Sequence, residues 1–291
     1  MKRIFIIMLV LMLAAVSCST GNTQPESVSD TAESTVITYR EADIKMADDF
    51  EEIVTLVSNA ASVMMFGKLK NGGYAAYITD KDFADYTQIR FTPQENESVK
   101  SACITRFGKT AILTAIAEEE TDAPETMLYV YGTDGVLEDT FALGEDILWG
   151  REVYAVLIPY ADGYVINVTF DTLAVIDSNG SYVGDVSLEG YQLSTAYRTA
   201  DGGIGVLLAD TGDTKYTAAV DTDTLKLTDI RKTDRTDTPY WVWRGKGEYS
   251  LYGMFTDGIC GLSDDSWTLI SDLADNTFSY YSLGGLTEVS D

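Results

Sequence analysis

Short apolar runs separated by polar turns make up the chain from about residue 50 onwards. The runs are rich in Val, Ile, Tyr and Thr, and the segments between them contain Asp, Asn and Gly. Residues 47–57 are the one stretch that could be argued as helical, and residues 53–57 within it suit a strand equally well. β-Branched and aromatic runs bounded by turn-forming residues are typical of strands. The pattern therefore predicts an all-β fold whose first strand lies near residue 53.

One acidic turn recurs along this pattern at nearly constant spacing. Its markers are Asp82, Asp134, Asn179, Asp223 and Asp265. The successive intervals are 52, 45, 44 and 42 residues, and the longest contains an acidic insertion at residues 118–125. A second series of turns repeats with the first, at Asn59, Gly108, Gly163, Gly202 and Gly245. Because Gly, Asn and Asp tolerate the positive φ of tight turns, both series indicate hairpins in a structural repeat.

Each repeat contains four strands, which is the size of a β-propeller blade. In the third repeat the strands are predicted at residues 153–159, 164–170, 173–176 and 181–188. Residues 111–117 and 204–209 are apolar without alternation, as a middle strand buried on both faces should be. Stacking such sheets around an axis buries the faces that a single isolated sheet would expose to solvent. We therefore predict a β-propeller; a β-sandwich would not repeat so regularly, and solenoid repeats are shorter.

Five blades can be assigned, and one strand is left over. The blades are predicted at residues 50–98, 99–144, 150–189, 191–236 and 238–276. Residues 280–289 then match the innermost strand of a sixth blade, which would need three more strands. Two interpretations stay open: a five-bladed ring with a spare terminal strand, or the front part of a longer protein, which we favour.

The N-terminus resembles the export signal of bacterial lipoproteins. Lys2 and Arg3 precede an uncharged apolar stretch at residues 4–16, which is shorter than the roughly 20 residues of a membrane-spanning helix. Residues 15–18, Ala-Val-Ser-Cys, resemble the lipobox, in which the cysteine becomes the lipidated first residue of the mature chain; Ala15 stands where Leu is usual. The alternative is an ordinary secretory signal with an incidental cysteine.

This resemblance implies three segments. Residues 1–17 are the signal peptide, residues 18–35 are the lipidated Cys18 with a polar tether, and residues 36–291 are the propeller domain. The tether is nearly free of apolar side chains and cannot bury enough surface to fold. Two acyl chains hold a protein stably at a membrane. We therefore expect a lipid-anchored protein on the extracytoplasmic face of the cell membrane, with the membrane as a partner through Cys18.

Charge and composition narrow the function. The chain has 46 acidic and 20 basic residues, a net charge of −26, and no basic block, which argues against nucleic acid as a partner. It has no histidine, which removes imidazole metal ligands and Ser-His or Cys-His nucleophile pairs. We expect no cofactor and no metal. Cys103 and Cys260 lie in apolar runs, so we expect buried free thiols, with a disulfide between them as the alternative.

A wider resemblance rests on the lipobox, the tether, residues 38–58 and the four-stranded repeats together. These features resemble the N-terminal propeller region of certain Gram-positive extracellular lipoproteins. In those proteins such a region often precedes the solute-binding domain of a sugar-type ABC importer, and this chain lacks a second, α/β domain. The resemblance implies a surface binding or accessory role.

Most clusters of acidic residues are predicted to lie in solvated loops, among them residues 118–120 and 264–265. Glu152 is the best candidate on an inner strand for a glycosidase carboxylate. Residues 177–180, Asp-Ser-Asn-Gly, superficially resemble a calcium loop, but their spacing does not match an EF-hand and favours a hairpin turn.

Aromatic residues cluster where one blade passes to the next. They are Trp149, Tyr191, Tyr240, Trp241 and Tyr280. Rings around a funnel mouth could stack on sugars or cap a peptide, although packing of blade against blade is the interpretation we prefer. The function predicted is a non-catalytic ligand- or protein-binding module, with a carbohydrate, a peptide or an importer as partner. The alternatives are a solute-binding accessory of an ABC-type importer and a glycoside-active propeller enzyme.

Overall fold

The structure is a computed structural model of the chain. It describes residues 7–11, 38–41, 48–59, 61–80, 85–116, 124–144, 147, 155–161, 163–168, 172–199, 201–239, 241–244, 251–263, 265–271 and 287–290. In residues 7–11, 38–41 and 287–290, and at Trp241, Trp243, Arg244 and Ser271, the description is of the backbone. The described residues contain no helix that is long and apolar enough to cross a membrane.

Two strands precede the repeats: β1 (Ile7–Leu11) and β2 (Thr38–Glu41). Blade I consists of β3 (Phe50–Ser58), β4 (Val63–Leu69), β5 (Tyr74–Thr79) and β6 (Tyr86–Phe91). Blade II consists of β7 (Glu97–Ile104), β8 (Thr110–Ile116), β9 (Glu125–Tyr131) and β10 (Leu137–Gly144). Blade III consists of β11 (Ala155–Tyr160), β12 (Gly163–Val168), β13 (Thr172–Ile176) and β14 (Tyr182–Asp185). Blade IV consists of β15 (Gln192–Arg198), β16 (Ile204–Ala209), β17 (Lys215–Asp221) and β18 (Lys226–Lys232). Blade V consists of β19 (Trp241–Arg244), β20 (Leu251–Phe255), β21 (Gly258–Ser263) and β22 (Ser266–Ser271).

Each blade is an antiparallel sheet whose four strands follow chain order. The five blades stand in a ring, and the first strands of neighbouring blades contact one another. The predicted all-β propeller of five four-stranded blades is therefore confirmed. The first strand begins at Phe50, slightly before the predicted position, and residues 48 and 49 form a short 3₁₀ turn ahead of it.

A three-stranded sheet stands between blades V and I. Its strand β23 (Thr287–Ser290) pairs in parallel with β1, and β1 pairs antiparallel with β2. β23 contacts β19 on one side and β3 on the other, which is the innermost position predicted for the terminal strand. The remaining residues of that predicted strand lie outside the described ranges. β1 comes from the apolar stretch of the predicted signal peptide, and Cys18 and the tether lie outside the described residues.

Apolar clusters fill the spaces between neighbouring blades. One joins blades I and II, a second joins II and III, a third joins III and IV, and a fourth joins IV and V. The middle strand β8 is buried on both faces: Ile112 points into the first cluster, whereas Ala111 and Leu113 belong to the second. β16 divides in the same way, with Leu207 on the opposite side from Val206. This is the reason why these strands lack polar alternation.

Aspartates hold the repeated hairpins. Asp177 Oδ1 accepts hydrogen bonds from the backbone N–H groups of Asn179 and Ser181, each at 2.8 Å, and Gly180 adopts a φ of +74°. Asp134 and Asp221 accept equivalent bonds in the corresponding turns of blades II and IV. In these tight turns the aspartate oxygen takes the place of a backbone carbonyl as the hydrogen-bond acceptor. The prediction of a hairpin at residues 177–180, rather than a calcium loop, agrees with this geometry.

Both described cysteines are buried and free. Cys103 lies in the cluster between blades II and III, and burial raises the pKa of its thiol. Cys260 lies in blade V, where its Sγ is 3.1 Å from Nη1 of Arg235 and burial again raises the thiol pKa. The prediction of two buried free thiols is therefore confirmed.

Candidate functional site

The antiparallel blades give the ring two different faces. Hairpins between first and second strands, and between third and fourth strands, lie on one face, which we call the hairpin face. Hairpins between second and third strands, and the connections from blade to blade, lie on the opposite connector face. Of the five aromatic residues predicted as a binding cluster, Tyr191 and Trp241 are described, and both lie at the connector face.

A cavity of about 180 Å³ opens on the hairpin face. Its lining comes from the β7–β8 turn and strands β9 and β10 of blade II, the β11–β12 and β13–β14 turns of blade III, and the end of β15 in blade IV. The floor is formed by Val130, Gly163 and Tyr164, which are buried. Three successive blades therefore build one depression above the cluster that joins blades II and III.

Aromatic rings form much of the cavity wall. Phe107 stands at the tip of the β7–β8 hairpin with 62% of its surface exposed, and Phe141 and Tyr160 are half-buried. The guanidinium carbon of Arg106 lies 4.5 Å from the centroid of the Phe107 ring. Such a stack keeps a cation and an apolar face together at the rim. Burial raises the pKa of Tyr164, so this phenol stays neutral at the cavity floor.

Basic side chains outnumber acidic ones in the lining. Among the described residues of the lining, Arg106, Lys109 and Arg198 stand against the carboxylate of Asp139. Lys109 Nζ is also 2.6 Å from Oε2 of Glu138, whose hydrogen bond and charge raise the Lys109 pKa and keep it protonated. In the whole chain acidic residues exceed basic ones more than twofold. Basic residues therefore outnumber acidic ones in the part of the lining that the structure describes, the reverse of their ratio in the whole chain.

Two glycines permit the close packing that shapes the cavity. Gly180 has a positive φ, and a Cβ at this position would overlap the ring of Phe141 from blade II. A Cβ on Gly163 would overlap the backbone oxygen of Ile176 and lie 3.0 Å from Oη of Tyr160. A side chain at either position would therefore displace a wall of the cavity.

The predicted aromatic cluster is described only in part. Tyr191 packs on the cluster between blades III and IV, and its ring meets that of Tyr216 edge-on at a centroid distance of 5.2 Å. Tyr216 Oη in turn donates a hydrogen bond to Oδ2 of Asp210 at 3.0 Å. Trp241 begins β19, and Trp149, Tyr240 and Tyr280 lie outside the described residues. A ligand-binding role for these five residues stays a prediction.

The described residues of the cavity lining include none of the predicted acidic candidates. Glu152, residues 118–120 and Asp264 lie outside the described residues. Asp265 lies in the β21–β22 turn, with Oδ2 at 3.9 Å from Nη1 of Arg231. Asp139, which does line the cavity, was not singled out from the sequence.

A second polar network lies toward the connector face and is closed by its own contacts. Buried Glu97 accepts hydrogen bonds from Oγ1 of Thr114 at 2.5 Å, from Oη of Tyr129 at 2.9 Å and from the backbone N–H of Gln94 at 2.7 Å. Burial, with Glu97 as the second cause, raises the pKa of Tyr129 to about 12. Both carboxylate oxygens of Glu97 accept hydrogen bonds from groups of the chain itself, which indicates a structural role.

Sequence reasoning missed the cavity, although one local signal was present. Residues 105–109 read Thr-Arg-Phe-Gly-Lys and put two cations and an aromatic ring on one hairpin. Such a tip is unusual in a chain with so few basic residues. Tyr160 and Arg198 come from other blades, so their part in the site depends on the ring geometry.

Comparison with solved structures finds proteins that are similar to most of this chain. A crystal structure of a protein of unknown function from Bacteroides caccae matches with a TM-score of 0.51 and 12% identity, over 79% of this chain and 85% of that chain. TolB from Acinetobacter baumannii matches with a TM-score of 0.45 and 16% identity, over 73% of this chain and 52% of TolB, so the matched region is about half of that protein. A protein of unknown function from Dyadobacter fermentans matches with a TM-score of 0.45 and 10% identity, over 73% of this chain and 78% of that chain. No family model matches the sequence, and no curated protein matches it significantly.

Proposed function

We propose that this protein is a non-catalytic binding module, anchored by lipid on the extracytoplasmic face of the cell membrane, that holds a small ligand in the hairpin-face cavity. The observation that carries the proposal is the cavity itself. Ligand sites are typically concave and lined by apolar and aromatic groups, with a few convergent polar groups that fix orientation. Phe107, Phe141 and Tyr160 supply the rings, and Arg106, Lys109 and Arg198 supply the polar groups.

Binding is proposed in preference to glycoside hydrolysis because of the chemistry of this lining. Hydrolysis commonly uses two carboxyl groups, one on each side of the scissile bond. The described lining of the cavity contributes the carboxylate of Asp139 alone. A ligand held between rings and cations can be retained without any bond being broken.

The anchor is proposed from Cys18 and the polar tether behind it. We expect that replacing Cys18 by Ala abolishes incorporation of labelled fatty acid and releases the protein from the membrane fraction, because the acyl chains provide the membrane affinity. Metabolic labelling with fractionation measures both effects, and Cys103→Ala serves as the control because that thiol is buried. A Cys18 variant that remains labelled and membrane-bound would refute the anchor.

Binding in the cavity is tested with a Phe107 variant. Phe107 is largely exposed at the hairpin tip, so Phe107→Ala should leave the fold intact while removing a stacking surface. We expect at least a tenfold loss of affinity, about 1.4 kcal/mol, for any sugar or aromatic ligand that a screen of small molecules identifies. Isothermal titration calorimetry measures the loss. Tyr182→Ala is the control, because Tyr182 is exposed on the outer strand of blade III and does not line the cavity. Equal affinity of the two variants would place the ligand elsewhere.

A further inference from the structure

We infer that removal of the signal peptide allows β2 to pair directly with β23, so that the strand before the five blades and the strand after them close the seam between blades V and I. The inference rests on the proposed anchor, in which Cys18 becomes the first residue of the mature chain, and it adds a rearrangement to that processing step. In the sheet at the seam the strand order is β2–β1–β23, and the middle strand comes from residues 1–17, the predicted signal peptide. Cleavage ahead of Cys18 therefore takes the middle of this sheet away.

Loss of β1 leaves two strand edges facing each other across an empty place. β2 and β23 each pair with β1, and the described part of the chain gives neither of them another pairing partner. Backbone N–H and C=O groups that lose a partner need another, and an open strand edge readily accepts a further strand. β23 is held in position by its contacts with β19 and β3, so β2 is the strand that moves.

The directions of the strands permit the new pairing. β1 runs parallel to β23 and antiparallel to β2, so β2 and β23 run antiparallel to each other. The strand pairs within the five blades are antiparallel as well. An antiparallel pair is also slightly more stable per residue than a parallel pair, such as the β1–β23 pair that it replaces.

The register for this pairing is already set. Leu9 is the Cα partner of Tyr39 on one side and of Glu288 on the other. A sideways shift of β2 by one strand spacing, about 4.8 Å, therefore brings Tyr39 opposite Glu288. Arg40 comes opposite Thr287 in the same way. Because residues opposite each other on adjacent strands lie on the same side of a sheet, the shift leaves each residue on the face that it already occupies.

The connection between β2 and β3 is long enough for the shift. Residues 42–47 join Glu41 to the described residues ahead of β3, and six extended residues span up to about 20 Å. The shift needs one strand spacing, about a quarter of that length. The five blades can therefore keep their positions, and the lipid-bearing tether becomes attached to a strand that is paired at the seam.

The test places pairs of cysteines across the new strand pair. Tyr39→Cys with Glu288→Cys, and Arg40→Cys with Thr287→Cys, are made as two separate double variants. Two are needed because facing residues of antiparallel strands alternate between wide and narrow sites. A disulfide requires Cα atoms within about 7 Å of each other. Strands on the two sides of β1 are two spacings apart, about 10 Å, so a disulfide reports direct pairing.

The variants are compared in the processed and the unprocessed chain. The processed chain is isolated from the membrane fraction, and the unprocessed full chain is synthesised without membranes and carries Cys18→Ala to remove a competing thiol. After mild oxidation, we expect at least one variant to lose two hydrogen atoms in intact mass when processed, and neither to do so when unprocessed. Leu9→Cys with Glu288→Cys is the matched control, because these facing residues should form a disulfide in the unprocessed chain.

Hydrogen–deuterium exchange gives a second measurement that needs no added cysteines. In the processed chain with its natural sequence, we expect the amides of residues 38–41 to exchange more slowly than those of the polar tether at residues 19–35. Strand pairing protects backbone N–H groups from exchange, whereas an unpaired segment exchanges freely. This comparison decides the question even where a double variant fails to fold.

The results distinguish the rearrangement from the anchor. If residues 1–17 are absent from the intact mass, neither cysteine pair crosslinks and residues 38–41 exchange as fast as the tether, the rearrangement is wrong and the anchor stands. If Tyr39 and Glu288 crosslink as readily in the unprocessed chain, β1 does not separate the strands and the rearrangement is again wrong. If the chain isolated from cells retains residues 1–17, the anchor fails and the rearrangement fails with it. Ligand binding in the cavity is measured independently of all three.

Discussion

Replacing Leu113 by Ala is expected to lower the free energy of unfolding by about 2–5 kcal/mol, the usual loss when a large apolar side chain is removed from a packed core. Leu113 lies in the middle strand β8, has no exposed surface and belongs to the cluster between blades II and III. It pairs with Leu128 on β9, so the change opens space inside the sheet stack. Urea denaturation followed by circular dichroism measures the loss.

Leu137→Ala is the matched control within the same blade. Leu137 begins the outer strand β10 and is 46% exposed, so its replacement should change stability by no more than about 0.5 kcal/mol. Blade stacking predicts a large difference between the two variants. If Leu113→Ala were as mild as Leu137→Ala, β8 would not be buried on both faces and the propeller arrangement would be refuted.

Replacing Glu97 by Ala is expected to lower the free energy of unfolding by about 2–6 kcal/mol, because it leaves the two buried donors Thr114 and Tyr129 without an acceptor and each costs about 1–3 kcal/mol. Thr114, Tyr129 and the backbone of Gln94 all donate to this carboxylate. These contacts fix the start of β7 against β8 and β9, so their loss should loosen the inner edge of blade II. Urea denaturation again gives the change in unfolding free energy.

The control for this prediction is Glu95→Ala. Glu95 lies two residues earlier and is exposed. Its replacement by Ala removes the same charge without breaking the network, so stability should change little. A loss of similar size in both variants would mean that net charge, rather than the hydrogen bonds, explains the effect. Glu97→Gln should fall between them, since an amide keeps one acceptor and sets an N–H group against a donor.

The strongly acidic composition and the local chemistry of the cavity point in different directions. A net charge of −26 by itself disfavours anionic partners in general. Arg106, Lys109 and Arg198 limit that expectation to extended polyanions, because a cavity can concentrate cations that the overall charge hides. Net charge governs approach over long distances, whereas short contacts decide what is retained.

The hairpin face, where we propose that a ligand binds, differs from the connector face to which the aromatic pattern points. The aromatic residues of that pattern recur in the sequence at equivalent points between blades. Tyr191, the one whose side chain the structure describes, packs on the core and against Tyr216. Residues that pack one blade against the next also recur in every blade. A position that repeats is therefore a weak guide to a binding site that occurs once. The cavity is lined instead by residues such as Phe107 and Arg198, which do not occupy equivalent positions in their blades.

The sequence by itself determined the strands, the hairpins and the number of four-stranded blades. Alternation, apolar runs and the Asp, Asn and Gly of tight turns act over a few residues, so their signals are local and can be read along the chain. Tertiary structure alone decided which hairpin tips meet, that Phe141 lies across Gly180 of the next blade, and that Arg106 and Arg198 border one cavity. Those contacts depend on how the blades rotate and stack around the axis, and this arrangement follows from the summed packing of all the interfaces rather than from any short segment.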